Sequence, residues 1–282
     1  MKKKINTALP ALSRMGVLLL IIVMGVIIDP SFLSLRNISN NLANASILII
    51  LGVGETVAII TNGPDLSAGS IMTMGGVVTA ILLKNYQIHF VVAILGGLAV
   101  GALLGAINGY MIAYIKIPAF ISTYGLQWAV FGFAYVVLNG YVIYSFDDAF
   151  RFIGNGTVFK YFSMTTVCMM VIAVIGILLL KHTTLGRKFY SVGSNAVQAN
   201  MSGIDSKKVI MKAFVFSGLM SAAAGILYVA RMNSVQSDIG SAYLLNVLAA
   251  VYMGGTSAAG GEGGIPGTIV GALAMTMVAN CM

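Results

Sequence analysis

The side chains that could do chemistry in this sequence are few, and they stand in apolar company. Glu55 lies in Gly52-Val53-Gly54-Glu55-Thr56, inside a hydrophobic run. Ten residues on, Asp65, Ser67 and Ser70 bring three oxygen-bearing groups to one short stretch, and Asn108 and Gln127 follow singly in later apolar runs. A lone carboxylate costs at least ~2.5 kcal/mol at the centre of a membrane helix, so Glu55 must face a polar partner or a wet cavity. Two readings are open for Glu55, Asn108 and Gln127. They line a pathway for a polar solute, or they make structural hydrogen bonds between helices, worth only ~0.6 kcal/mol on average. Catalysis finds no support, because the sequence has no H-E-x-x-H and no G-x-S-x-G. His89 and His182 are far apart, and Cys168 and Cys281 have neither metal-ligand nor disulfide spacing. The expectation is a protein that is not an enzyme and has no metal or cofactor.

The elements that position these residues are dictated by composition. A chain of 282 residues, 59% hydrophobic and 9% charged, departs far from the ~25% charged residues of a soluble domain. Apolar segments fall at 12–28, 42–60, 66–83, 90–113, 118–138, 162–180, 209–229, 241–253 and 265–280, nine candidate spans. The predicted fold is all-α, a polytopic helical membrane protein with residues 1–282 as one domain whose solvent is the lipid bilayer. The net charge of +8 is no sign of a nucleic-acid partner, since the basic residues sort by loop. Basic Lys2 to Lys4 precede the first run, and no small-x-small cleavage site stands before Asp29-Pro30, so this run is read as an uncleaved first span. With the N-terminus cytoplasmic, Lys2, Lys3, Lys4, Arg14, Lys116, Lys181, Arg187, Lys188, Lys207, Lys208 and Lys212 lie inside. Arg36, Lys84, Arg151, Lys160 and Arg231 lie outside, a clear positive-inside bias.

Three stretches interrupt the apolar pattern. At 61–70, Gly63-Pro64 must break the helix, because proline lacks the N–H and clashes with the preceding turn. Asp65 or Ser67 can cap the next helix, in a capped re-entry at the inner surface or in backbone that protein buries or water reaches. A glycine-rich junction at 254–267 also faces inward. Paired broken spans mark substrate sites in inverted repeats, but these two junctions face the same way, so that argument does not apply to them. No Gly-Lys-Ser/Thr follows the glycines, which rules out a phosphate cradle. Gly97, Gly101, Gly105 and Gly109, and again Gly263, Gly267 and Gly271, make stripes at four-residue spacing for close helix packing. The third stretch is the polar loop 181–212. There Asn195 and Gln198 suggest a capping box, Gly203 a left-handed stop, and Val197 and Met201 share one face of about two turns between them. A helix that short needs a surface to dock against.

This loop resembles the permease subunits of bacterial ABC importers for monosaccharides, of the ribose and xylose type within the branched-chain amino acid and sugar permeases. The matching residues are His182, Thr183, Leu185, Gly186, Arg187, Gly193, Asn195, Ala199, Ser202, Gly203 and Ile204. The stretch at 61–70 is similar to the family's TGGIDLSxGS signature through Thr61, Gly63, Asp65, Leu66, Ser67, Gly69 and Ser70, with Asn62 and Pro64 as departures. Residues 254–267 resemble its GGTSLAGG segment, and the likeness runs from about residue 40 to the end. The resemblance implies a permease homo- or heterodimer in the inner membrane, a cytoplasmic ATP-binding subunit, and a periplasmic or extracellular sugar-binding protein. It implies a sugar as substrate, with 181–212 as the coupling loop. Asp65, Ser67 and Ser70, with Glu55, Asn108 and Gln127, would shape the pathway or its gate. Gly193, Asn195, Val197, Met201 and Gly203 would couple to the ATPase. The family has about ten spans, so the chain is expected to end about one helix short, with Met282 outside. The rival reading is a self-sufficient ion-coupled transporter using Glu55 and Asp65.

Overall fold

The computed structural model describes residues 16, 19–27, 29, 31–158 and 162–281. The expectations for Lys2 to Lys4, Arg14, Lys160 and Met282, and part of those for the first span, lie outside the described residues. Helix α1 is described over residues 19–27. It is followed by α2 (Leu35–Thr61), α3 (Ala68–Lys84), α4 (Phe90–Ala113) and α5 (Ala119–Leu138). Strand β1 (Ile143–Tyr144), α6 (Asp148–Asn155), β2 (Thr157–Val158) and β3 (Phe162–Ser163) come next. Then come α7 (Met164–His182), α8 (Thr184–Ser194), α9 (Ala196–Met201), α10 (Ser206–Met232), β4 (Ser234–Val235), α11 (Ser241–Met253) and α12 (Ile265–Cys281).

The protein is all-α in its spanning part. Among the described residues, α2, α4, α5, α7 and α10 are long and apolar enough to cross a bilayer, and α3, α11 and α12 are shorter apolar helices. Helix α2 is buried almost continuously from Ala45 to Thr61, and α10 packs against α2, α3 and α4. The glycine stripe of α4 does what its spacing predicts. A Cβ on Gly101 would meet Ala222 and the Gly218 carbonyl, and one on Gly105 or Gly109 would meet the backbone at Phe214 or Met211 of α10. The second stripe is only partly realised. Gly263 lies before α12 with φ 137°, so Gly267 and Gly271 alone sit on the helix, and Gly271 packs on the Ala250 carbonyl.

The pairings fix how the helices run. Gly97 lies against Ile226 and Gly109 against Met211, so α4 and α10 are antiparallel. The Lys207 ammonium stands 5.6 Å over the Tyr114 ring, placing the α4–α5 turn and the start of α10 at one end of the bundle. At the opposite end, α6 and the segment after α10 are tied together. Strand β1 pairs antiparallel with β4, Ile143 opposite Val235, and Asn233 accepts the Ser145 and Phe146 N–H groups at 3.1 and 2.8 Å. Among the described residues, 139–158 thus carries α6 and the short strands β1 and β2, β1 paired with β4 and β2 with β3.

Three crossings are broken. The first break is 62–67, which follows the end of α2 where Gly193 of α8 lies against Ile60. The chain turns back after α2, so that the Asp65 N–H donates to Glu55 Oε1 at 2.9 Å and Asp65 meets Ser217 near the middle of α10. Protein buries the irregular backbone, the condition for tolerating it at that depth. The second break is 233–240. From Asn233, in the left-handed region with φ 55°, the chain dips back so that Gly240 lies against Gly69 of α3 and its N–H donates to Thr73 Oγ1 at 3.0 Å. Helices α3 and α11 therefore begin beside one another and run apart. The full crossing α2 followed by the partial helix α3 is matched, with opposite direction, by α10 followed by α11. The partner of the 61–70 junction in an inverted arrangement is thus 233–240, and not the glycine-rich 254–264, the third break. The signal in the sequence was the brevity of the run at 241–253, 13 residues or ~20 Å of helix against a ~30 Å hydrocarbon core.

Candidate functional site

The buried polar residues converge on the carboxylate of Asp65. Its Oδ1 accepts the Ser67 N–H at 3.1 Å and the Ser67 hydroxyl at 2.5 Å, and its Oδ2 accepts the Ser217 hydroxyl of α10 at 2.8 Å. Asn108 of α4 donates from Nδ2 to Ser67 Oγ at 2.7 Å, and Ser122 of α5 donates to Asn108 Oδ1 at 3.1 Å. Ser70 turns its hydroxyl back onto the Ser67 carbonyl at 2.9 Å. Donors from three helices thus point along one line towards one acceptor group. Hydrogen bonds to a carboxylate are roughly twice as strong as neutral ones, and deep burial raises the cost of losing any of them. Asp65 caps the turn leading into α3 through Ser67; Ser67 itself occupies the helix-capping position without a side-chain cap bond.

Of the residues expected at this site, Glu55, Asp65, Ser67, Ser70 and Asn108 come together. Gln127 does not join them: it is buried on α5 with Oε1 unpartnered. Glu55 uses Oε1 to hold the Asp65 backbone, while its Oε2 is buried without a partner. Ser122 and Ser217 were missed. A single serine in an apolar run is indistinguishable from one that bonds its own helix backbone, and only the packing of α5 and α10 gives these two a distant partner. What the cluster can do is lock: it fastens the start of α3 to α4, α5 and α10 at once.

The polar loop at the other end is built separately. Asn195 Oδ1 accepts the N–H groups of Val197 and Gln198, both at 3.0 Å, and begins α9. The reciprocal half of the predicted capping box is not formed. The Asn195 N–H instead donates to the Ser191 carbonyl at 3.2 Å, ending α8. Gly203 has φ 79°, the left-handed stop that its position predicts. Val197 is 69% and Met201 85% exposed, an unpartnered apolar face on a helix of six residues. Gly193, expected in the coupling region, packs against the end of α2. A Cβ there would overlap the Ile60 carbonyl at the end of α2, so only glycine lets α8 approach so closely. Ile60 also accepts the Gly261 N–H at 2.9 Å, and Tyr190 of α8 donates its hydroxyl to the Gly263 carbonyl at 2.9 Å. Loop, α2 and the glycine-rich junction form one contact at Ile60. Asp205, also unanticipated, caps α10 through the Lys208 N–H and pairs with the Lys208 ammonium, both at 3.2 Å. That relieves the cost of placing Lys207 and Lys208 at a helix start. The same contacts, the Lys208 N–H foremost, hold the Asp205 carboxyl below the usual carboxylate range.

Comparison with known proteins adds what geometry cannot. The family described as branched-chain amino acid transport system / permease component matches residues 37–282. Ribose import permease protein RbsC of Escherichia coli strain K12 is 35% identical over 271 residues, covering 93% of this chain and 83% of that protein. Galactose/methyl galactoside import permease protein MglC of Haemophilus influenzae is 32% identical over 279 residues, with 92% and 83% covered. D-allose transport system permease protein AlsC of E. coli K12 is 30% identical over 262 residues, with 93% and 80% covered. No solved structure matches the chain.

Proposed function

The chain belongs to the branched-chain amino acid transport system permease family, and on that premise we propose that it is the membrane-spanning subunit of an ABC importer for a monosaccharide. The observation that carries this reading is the likeness, over nine-tenths of the chain, to permeases named for ribose, galactose and allose. The energy comes from a separate cytoplasmic ATP-binding subunit, and the sugar arrives on a binding protein at the opposite face. A second permease, identical or related, completes the pathway. The protein sits in the bacterial inner membrane as a single permease domain, with its N-terminus and the loop 181–212 on the cytoplasmic side.

Coupling works through differential contacts in two states. The exposed pair Val197 and Met201 on α9 is the face that the ATP-binding subunit grips, with Asn195 and Gly203 fixing the ends of that helix. Movement of α9 is carried by α8 to the shared contact at Ile60, where Gly193 and Gly261 meet the end of α2. From there it reaches the broken crossing held by Asp65, Ser67, Ser70 and Asn108, which acts as the gate's lock, with Glu55 and Gln127 as the neighbouring buried polar groups. The decisive experiment reconstitutes the chain with its ATP-binding subunit and binding protein in proteoliposomes. Uptake of D-ribose, D-galactose or D-allose that depends on internal-face ATP is the expected result. Uptake driven by an ion gradient with the ATP-binding subunit absent would overturn the reading.

A further inference from the structure

Helix α8 packs against both α7 and α10, and between the three lies a groove of about 430 Å³ that neither the lock at Asp65 nor the contact at Ile60 includes. Leu179 of α7 and Leu185 of α8 line one side, and Met211, Val215, Phe216 and Leu219 of α10 the other, all half-buried. Its only polar members are Lys208 and Lys212. Residues four apart share one side of a helix, so Lys208, Lys212 and Phe216 follow one another along the groove. The stretch of α10 from Lys208 to Leu219 is ~16 Å long, about half of a ~30 Å hydrocarbon core. The groove therefore has the depth of one leaflet, with cations at its mouth and hydrocarbon below. Of those cations, Lys208 is already paired with Asp205 at 3.2 Å, whereas Lys212 has no ion pair or hydrogen bond among the described residues. The loop 181–212 holds no other carboxylate than Asp205 to neutralise it. A protein helix laid over this face would bury the Lys212 charge uncompensated unless it brought a carboxylate of its own. A phospholipid needs no such match. Its chain fills the apolar trough, and its phosphate meets an ammonium whose stem runs along the wall.

We propose that this groove binds an anionic phospholipid, with one acyl chain along Val215, Phe216 and Leu219 and the headgroup phosphate on Lys212, Lys208 standing beside it. That the lipid belongs to the cytoplasmic leaflet rests on the proposed placement of the loop 181–212; the preference for a negative headgroup does not. Because α8 forms one wall, the bound lipid also braces the helix that joins α9 to Ile60. The test reconstitutes the full chain in phosphatidylcholine vesicles with a Trp128→Phe, Phe216→Trp reporter, Trp128 being the single tryptophan of the sequence. Part of the lipid is replaced by brominated phosphatidylglycerol or, at equal mole fraction, by brominated phosphatidylcholine. Phosphatidylglycerol should quench the reporter with roughly fivefold higher affinity, the preference that one lysine near a headgroup confers. Lys212→Gln should bring the two lipids to parity, and Lys208→Gln should weaken the preference less. Lys188→Gln, a charge of the same loop outside the groove, should leave it unchanged. Without the reporter substitutions, native mass spectrometry of the full chain should find one phosphatidylglycerol retained in preference to phosphatidylcholine, and Lys212→Gln should lose it. Equal quenching and equal retention of the two lipids would overturn the site, leaving only bulk lipid at this face. Quenching by neither would overturn it in favour of a protein cover such as a second copy of the chain. No sugar or ATP enters these measurements, so their failure leaves the importer reading standing, and a failure of ATP-dependent uptake would leave the lipid site standing.

Discussion

The break between α2 and α3 and the break between α10 and α11 share a plan and are furnished in opposite ways. Each follows a full crossing, and each lets a shorter helix begin in the interior, back against the other at Gly69 and Gly240. In the first, every approach is filled: Asp65 takes donors from Ser67 and Ser217, and Asn108 and Ser122 extend the line. In the second, the Gly240 N–H reaches Thr73 Oγ1, while Gln236, Asp238 and Ser241 border open volume. Backbone irregularity inside a membrane protein therefore has two uses. Satisfied by side chains, as at Asp65, it makes a rigid tie between helices; at 233–240 it leaves a cleft beside the helix start.

The comparison can be broken most severely at Asp65. Asp65→Leu strands the hydroxyls of Ser67 and Ser217 and should cost roughly 3–5 kcal/mol, read as a lower unfolding temperature in detergent and loss of uptake. A variant that keeps parental stability would mean that the first break is not held by its side chains. Gly240→Val should come next. Its Cβ would overlap the Gly69 carbonyl, which is backbone and cannot rotate away, so about 1–3 kcal/mol of overpacking is expected, with reduced uptake. Full uptake would show that the two helix starts do not need their close contact. Glu55→Gln sharpens the contrast by doing little. The amide oxygen can still accept the Asp65 N–H, so stability should stay within about 1 kcal/mol and uptake close to parental. A pH-dependent component of uptake that vanished in this variant would contradict it.

The smallest effect is at the foot of the helix that leads to the second break. The Asp205 carboxyl, lowered by its bonds to Lys208, caps α10 fully above the ordinary carboxylate range and gives up that contribution only as pH falls through its depressed value. The protection factors of amides in the first turn of α10, with the intrinsic pH dependence of exchange divided out, should thus be steady near neutrality and fall only in acid. Protection that already falls between pH 7 and pH 6 would remove Asp205 as the cause.

These outcomes also mark what could be read from the residues alone. The spans, the stop at Gly203 and the involvement of Asp65, Ser67 and Asn108 were legible because helix breaking, capping and burial of polar groups are local in their physics. The depth of the 62–67 break was not, because it depends on the chain folding back to Glu55. Ser217 and Ser122 were illegible for the same reason: each becomes special only through a helix far away in sequence. Gly193 was legible as part of the loop's motif, whereas its contact with Ile60 was not, since α2 lies far away in sequence.

The brevity of α11 bears on how the protein is made. At 13 residues it is too short to be recognised as a spanning segment when it leaves the ribosome, and Ser241 and Asn246 weaken its case further. Insertion must then be deferred: α10 enters the bilayer first, α11 waits at the surface, and α12 draws it in by offering the face around Gly271. Chains released after Met253 should leave α11 accessible to protease in isolated membranes, and chains released after residue 281 should protect it. Protection in the shorter chain would mean that α11 inserts unaided. The second break is in this sense assembled late, after the lipid has already received its neighbours.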